Sequence, residues 1–143
     1  MNKEIKKKIV IYVVKNGKLL VFRHIDFSYE QVGIQVPSGS VKENEKLQEA
    51  ALRELTEETG FSDFKIINYL GSANYDQSPS RNEIHERHFY QAEPTKKLPE
   101  RWNSEEKHDG IKKPTRFECF WISVKSGHIL ESGQGEMLYK IKF

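Results

Sequence analysis

Residues 39–61 read GSVKENEKLQEAALRELTEETGF, and this stretch decides the class of fold. Residues 45–59 within it are rich in Glu, Leu, Ala, Lys and Gln, which favour an α-helix. Glu54, Glu57 and Glu58 stand at positions i, i+3 and i+4 of that helix. At 3.6 residues per turn these spacings place all three carboxylates on one helical face. The sequence therefore predicts a helix with concentrated negative charge on one side.

The three carboxylates repel one another, at a cost of roughly 0.2–0.5 kcal/mol for each pair on an exposed helix. A bound divalent cation removes this repulsion. Magnesium prefers hard oxygen ligands, binds through a few carboxylates and shares the phosphates of a substrate. The helix alone also fits a second interpretation, in which its acidic face is simply solvated or contacts a protein partner without any metal.

A longer pattern surrounds these carboxylates. Nine positions are fixed over 23 residues: Gly39, Glu45, Arg53, Glu54, Leu55, Glu57, Glu58, Gly60 and Phe61. This pattern resembles the Nudix box, the signature of the Nudix hydrolase family. Two flanking segments also resemble strands of that family, namely LLVFR, which ends at Arg23, and ECFWI, which contains Glu118.

The resemblance implies an α/β fold of a particular kind. Members of the family are α/β/α sandwiches with a mixed β-sheet and a central helix that carries the carboxylates. The matching segments extend from about residue 19 to residue 122, so residues 1–143 are expected to form a single Nudix hydrolase domain. In the family the box forms a loop–helix–loop that holds Mg²⁺ or Mn²⁺.

The resemblance also implies a set of metal ligands. Glu54, Glu57 and Glu58 correspond to the metal carboxylates of the family. A main-chain carbonyl at Ser38 or Gly39 is expected to add a further ligand. Members usually have glycine where this chain has Ser38, but a carbonyl ligand survives that change where the backbone conformation suits serine.

Other box residues are expected to support the ligands. By the resemblance, Arg53 orients a glutamate through a salt bridge, Glu45 caps or buttresses the box, and Gly60, like Gly39, permits a tight backbone. Two positions depart from the family pattern. Lys42 stands where many members have glutamate, and Asn44 stands where glycine is common. Asparagine is the best substitute there because it tolerates left-handed backbone conformations.

The implied activity is a magnesium-dependent pyrophosphohydrolase. It would cleave a nucleoside diphosphate linked to another moiety, using water activated by the metal. The catalytic residues expected from the resemblance are Arg53, Glu54 and Glu57. The general base is either Glu57 or a carboxylate outside the box. Glu118 is one candidate there, and Glu105 and Glu106, in the long loop before it, are others.

Two residues outside the box are candidates for substrate binding. Arg23 could contact a substrate phosphate, or be an exposed arginine at the end of a strand. Tyr75 lies in a zone where some members that act on dinucleoside polyphosphates carry a tyrosine, or it packs a loop. A different class also stays open, in which the chain is a catalytically inactive Nudix-fold module that senses a nucleotide without turnover.

The rest of the chain predicts mainly strands. Residues 9–14 are β-branched apart from Tyr12, and Asn16-Gly17 is a strong hairpin signal between them and a return strand over 18–23. The remaining predictions are strands over 34–36, 64–70, 83–92 and 117–124, a long polar loop over 93–115 and a short helix over 134–141. Together they indicate a mixed sheet around one strongly marked helix.

Composition excludes several classes of protein. The 143 residues carry a net charge of only +2, so nucleic-acid binding is not expected on electrostatic grounds. No apolar run approaches the roughly 18–20 residues that span a bilayer, and no membrane partner is expected. The single cysteine, Cys119, cannot form an intramolecular disulfide and fits a cytoplasmic location. The expected partner is a small nucleotide diphosphate derivative, with a homodimer as a further possibility.

Overall fold

The computed structural model describes residues 3–28, 32–107, 113–130 and 133–142. Within these ranges the chain forms seven β-strands and one α-helix. The elements are β1 (Glu4–Lys15), β2 (Lys18–His24), β3 (Ser38–Ser40), α1 (Leu47–Thr59), β4 (Phe64–Asp76), β5 (Glu83–Pro94), β6 (Arg101–Glu106) and β7 (Thr115–Ser123). Short 3₁₀ helices span Val124–Ile129 and Leu138–Lys140.

The strands form one mixed sheet. Six of them lie in the order β4-β5-β1-β2-β7-β6, and β3 pairs with β1 at the side of this path. β1 and β5 run parallel, whereas every other pair is antiparallel. Asn16 and Gly17 both have positive φ, 53° and 73°, as a tight hairpin turn between β1 and β2 requires. The mixed sheet and this hairpin are confirmed predictions.

Each face of the sheet is covered by a separate layer. On one face, α1 buries Ala50, Ala51 and Leu55 against residues of β1, β2 and β7. On the other face, the C-terminal segment packs Met137 and Ile141 against a second set of strand residues. The predicted α/β sandwich is therefore confirmed. In the described part of the C-terminal segment, the covering layer consists of turns and 3₁₀ helices rather than a long α-helix.

The helix and the strand before it differ from the predictions in detail. α1 begins at Leu47 rather than at residue 45, and its N-cap residue is Lys46. Asn44 takes the left-handed conformation expected of it, with φ of 63°. The predicted strand over 34–36 is wrong, because Gln35 forms only an isolated bridge. The strand comes after Pro37 instead, as β3.

The predicted loop over 93–115 is also wrong in part, because it contains β6. The sequence of β6, RWNSEE, alternates exposed and half-buried residues and pairs with β7 along its whole length. It lacks β-branched residues, so it gives little strand signal. Residues 108–112 of the predicted loop lie outside the described residues. The predicted helix over 134–141 is turns with one 3₁₀ helix at Leu138–Lys140.

Among the described residues, no helix is long and apolar enough to cross a membrane.

Candidate functional site

Three carboxylates meet where α1 faces β6. Glu54 and Glu57 lie on the same face of α1, and the structure adds Glu106 from β6. One carboxylate oxygen from each residue lies within 4.8 Å of the other two. Glu54 is buried, whereas Glu57 and Glu106 are partly exposed. We call these three residues the acidic cluster.

The docking of β6 against α1 brings Glu106 to this position. The indole nitrogen of Trp102 donates a hydrogen bond of 2.7 Å to the carbonyl oxygen of Thr59. The hydroxyl of Ser104 donates to the carbonyl oxygen of Glu58. Alternate residues of a strand share one face of the sheet, so Glu106 follows Trp102 and Ser104 onto the side that faces α1. The contacts also occupy two C-terminal carbonyl groups of the helix.

Arg53 links several residues of the box through hydrogen bonds. Its Nε and Nη2 donate to the two carboxylate oxygens of Glu45 at 2.8 and 2.9 Å. Its Nη1 donates to Glu54 at 2.8 Å and to Glu57 at 3.2 Å. Nη2 also donates to the carbonyl oxygen of Ser40 at 2.8 Å. The planar guanidinium thus holds two carboxylates of the acidic cluster and connects them to the segment before the helix.

Glu45 anchors that preceding segment. Its carboxylate accepts a hydrogen bond from the backbone N–H of Lys42 at 2.9 Å, in addition to the two from Arg53. These contacts, with Arg53 first among them, lower the pKa of Glu45 to about 2. The structure therefore places Glu45 as a fixed anion that joins the loop to the helix.

Gly39 of β3 lies directly against the carboxylate of Glu54. A Cβ atom built on Gly39 would lie 2.1 Å from Glu54 Cδ, far closer than any real contact. Only glycine allows this approach. Gly60 serves a different purpose, because it ends α1 in the left-handed conformation, with φ of 81°.

Glu58 lies deeper than the acidic cluster. Its carboxylate is buried, and both of its oxygens lie 3.4 Å from the backbone N–H of Ser38. Burial, followed by the nearby charges of Glu54 and Glu106, raises the pKa of Glu58 well above its usual value. Burial also raises the pKa of Glu54. The two groups are thus held in a place that disfavours their charged forms, a feature that is frequent at functional sites.

A cleft of about 580 Å³ opens over the acidic cluster. The cluster residues and Arg53 line it, and its rim carries the exposed side chains of Lys42 and Lys107. An anionic ligand that enters this cleft would meet ammonium groups at the rim and carboxylates at the floor. A polyphosphate would need a cation between itself and that floor.

Arg23 and Glu118 are brought together, but away from the acidic cluster. Arg23 Nε donates to Glu118 Oε1 at 2.8 Å, and Arg101 Nη1 lies 3.0 Å from the same oxygen. Cys119 packs in the core beneath α1, and Phe120 packs in the core of the opposite face. Glu118 therefore points to the face away from α1. The two arginines, Arg23 first, lower the pKa of Glu118.

Tyr75 also lies on the face away from α1. It packs against the second core, its ring lies under the guanidinium of Arg87 at 4.1 Å, and its hydroxyl donates to Glu136. The structure thus does not bring Arg23, Glu118 or Tyr75 to the acidic cluster.

Glu106 is the carboxylate whose position is hardest to predict from the sequence. The sequence predicts it in a loop, as a candidate base, and gives no indication that it lies near the helix. The only signal available was the alternation of Trp102, Ser104 and Glu106, which predicts a shared face once β6 is known to be a strand.

A sequence model of the NUDIX domain matches residues 6–138, nearly the whole chain. The chain belongs to the Nudix family. A comparison with curated proteins gives no match. The family consists of hydrolases that act on pyrophosphate bonds of small nucleotide derivatives and generally use divalent metals.

Solved structures of Nudix proteins share the fold. A MutT Nudix hydrolase from Burkholderia pseudomallei superposes with a TM-score of 0.68 at 15% identity, covering 98% of this chain and 100% of that one. The dihydroneopterin triphosphate pyrophosphohydrolase of E. coli gives 0.65 at 15% identity, covering 99% and 97%. A UDP-X diphosphatase gives 0.65 at 14% identity, covering 98% and 64%. At these identities the likeness shows the fold.

Proposed function

We propose that residues 1–143 form one Nudix domain that hydrolyses a nucleotide diphosphate derivative with the help of Mg²⁺ or Mn²⁺. The observation that carries this proposal is the acidic cluster, in which Glu54, Glu57 and Glu106 converge at the floor of an open cleft. Two structural neighbours are described as enzymes that cleave phosphoanhydrides, which supports the same class of reaction.

The donor set fits a hard divalent cation. Carboxylate oxygens are the ligands that Mg²⁺ and Mn²⁺ prefer, and a few of them suffice when water and substrate phosphates complete the coordination. We propose that Glu58, whose side chain contacts that of Glu54, and a main-chain carbonyl of Ser38 or Gly39 belong to the same ligand set, as the resemblance implies. A divalent cation bound there would neutralise charge on the diphosphate and make water a better nucleophile.

The side chains around the cluster supply orientation and proton transfer. Arg53 fixes Glu54 and Glu57 through charge-assisted hydrogen bonds, so neither has to reorganise when substrate binds. Glu57 is the most accessible of Arg53's three carboxylate partners, with 37% of its side chain exposed. We therefore propose Glu57 as the group that accepts a proton from the attacking water, with Glu106 as the alternative.

Glu118 gains no support as the general base. It lies on the face of the sheet away from the cluster, and two arginines lower its pKa.

Lys42 and Lys107 are well placed to bind the substrate, because they stand at the rim of the cleft. We propose that they contact its phosphates.

The test is phosphate release from a panel of nucleotides at about millimolar magnesium, a level suited to a weak carboxylate site. The panel holds nucleoside triphosphates, oxidised nucleotides, ADP-ribose, nucleotide sugars and dinucleoside polyphosphates. We expect at least one to turn over, EDTA to stop the reaction, and Glu57→Gln to lower kcat about 100-fold or more.

Glu49→Gln is the matched control, since Glu49 is an exposed glutamate in the first turn of the same helix. It should keep native activity. If no substrate turns over while a nucleotide still raises Tm, the chain is a nucleotide-binding module without catalysis, and the proposal is wrong.

A further inference from the structure

Gln134 is a buried glutamine whose side chain forms hydrogen bonds with the segment that leads into β3. It is only 6% exposed. Its Oε1 accepts a hydrogen bond of 2.7 Å from the backbone N–H of Val36. Its Nε2 donates to the hydroxyl of Ser38 at 3.3 Å. A residue near the C-terminal end of the sequence thus forms hydrogen bonds with the residues on both sides of Pro37.

The backbone of Gln134 is itself anchored in the core. The hydroxyl of Tyr12, a fully buried residue of β1, donates to the carbonyl oxygen of Gln134. The same hydroxyl accepts a hydrogen bond of 3.2 Å from the backbone N–H of Met137. Gln134 therefore lies between a rigid strand and the 36–38 segment, with little freedom to move.

Ser38 and Gly39, which follow Pro37, contact two carboxylates of α1. The backbone N–H of Ser38 is the hydrogen-bond donor to Glu58, and Gly39 lies in close contact with the carboxylate of Glu54. Pairing with β1 fixes the register of β3, with Val10 opposite Ser38. The contacts of Gln134 hold this segment from the other layer of the fold, on the side away from α1.

We propose that Gln134 is a positioning residue for the metal site, which acts through residues 36–39 on the carboxylates of Glu54 and Glu58. This inference rests on the proposed function, because it concerns the same site. It assigns a role to the C-terminal segment, which otherwise only covers the face of the sheet away from α1.

The test compares Mn²⁺ affinity, measured by electron paramagnetic resonance of the free ion, in the native chain and in Gln134→Ala. We expect the variant to bind Mn²⁺ about 10-fold more weakly, as is typical when a group that supports metal ligands is lost. Gln134→Glu should restore most of the affinity, because a carboxylate can still accept from the Val36 N–H and the Ser38 hydroxyl can turn to donate.

Gln91→Ala is the matched control. Gln91 is also a buried glutamine, and its side chain makes hydrogen bonds with the backbone N–H and carbonyl of Lys142, at the other end of the C-terminal segment. It should lower Tm to a similar extent yet leave Mn²⁺ affinity unchanged. Ser38→Ala removes only the hydroxyl contact and gives a milder variant should Gln134→Ala fold poorly.

Native-like Mn²⁺ affinity in both Gln134→Ala and Ser38→Ala would overturn this inference and leave the proposed function intact. An equal loss of affinity in Gln91→Ala would also overturn it, because the effect would then follow general stability. Absence of Mn²⁺ binding by the native chain would overturn the proposed function and the inference together.

Discussion

At the scale of single residues, the contact between Gly39 and Glu54 is the tightest constraint on the site. The carboxylate of Glu54 occupies the space where any other residue at position 39 would have its Cβ atom. Glu54 is held there from the other side by Arg53, at 2.8 Å. The position of the Glu54 carboxylate therefore depends on the absence of a side chain at residue 39.

Gly39→Ala should separate activity from stability. The backbone of Gly39 is not left-handed, so alanine fits it without strain, and the clash falls on the end of a flexible side chain. Glu54 must move, and we expect kcat/KM to fall about 10- to 100-fold. Tm should change little. Native kcat/KM in this variant, on a substrate identified from the panel, would show that the position of Glu54 does not matter for the reaction.

At the scale of elements, the loop before α1 is fastened to the helix by the pair of Glu45 and Arg53. The pair is bidentate, with distances of 2.8 and 2.9 Å, and it is reinforced by the N–H of Lys42. An anion whose pKa is lowered by folding stabilises the folded state above its unfolded pKa and loses that effect as pH falls through its folded value.

The contribution of Glu45 to stability should therefore depend on pH. Its pKa falls from 4.5 to about 2 on folding, so its stabilisation is complete at neutral pH and is lost between about pH 4.5 and 2. We expect Glu45→Gln to lower the free energy of unfolding by on the order of 1 kcal/mol at pH 7, after allowance for solvent screening. Urea unfolding of both chains from pH 7 to pH 2 measures this. A difference that stays constant over that range would contradict the account.

The elements also show which patterns a sequence reveals. α1 was predictable because residues 45–59 are rich in Glu, Leu, Ala, Lys and Gln, which favour helices by their own propensity. The hairpin at Asn16-Gly17 was predictable because few other dipeptides adopt two positive φ values. β6 was not, because its polar residues are held by pairing with β7 and by docking on α1 rather than by their own propensity.

At the scale of the whole molecule, the site is assembled from segments far apart in the sequence. The box supplies Glu54 and Glu57, and their spacing on a helix could be predicted. Glu106 reaches them only through the order of strands in the sheet, and Gln134 only through the layer that covers its opposite face. Such long-range placement leaves no local pattern. The sequence therefore predicts the residues of the candidate site that lie on the helix. It also indicates residues such as Glu118, which the fold places elsewhere.

The central claim is that Glu54, Glu57 and Glu106 form the metal site and that Glu118 does not belong to it. Mn²⁺ titration of Glu106→Gln and Glu118→Gln tests this most directly, with Tm recorded to confirm folding. The account predicts that Glu106→Gln weakens Mn²⁺ binding about 10-fold or more, while Glu118→Gln stays within about twofold of the native chain. Native affinity in Glu106→Gln, together with a large loss in Glu118→Gln, would contradict it.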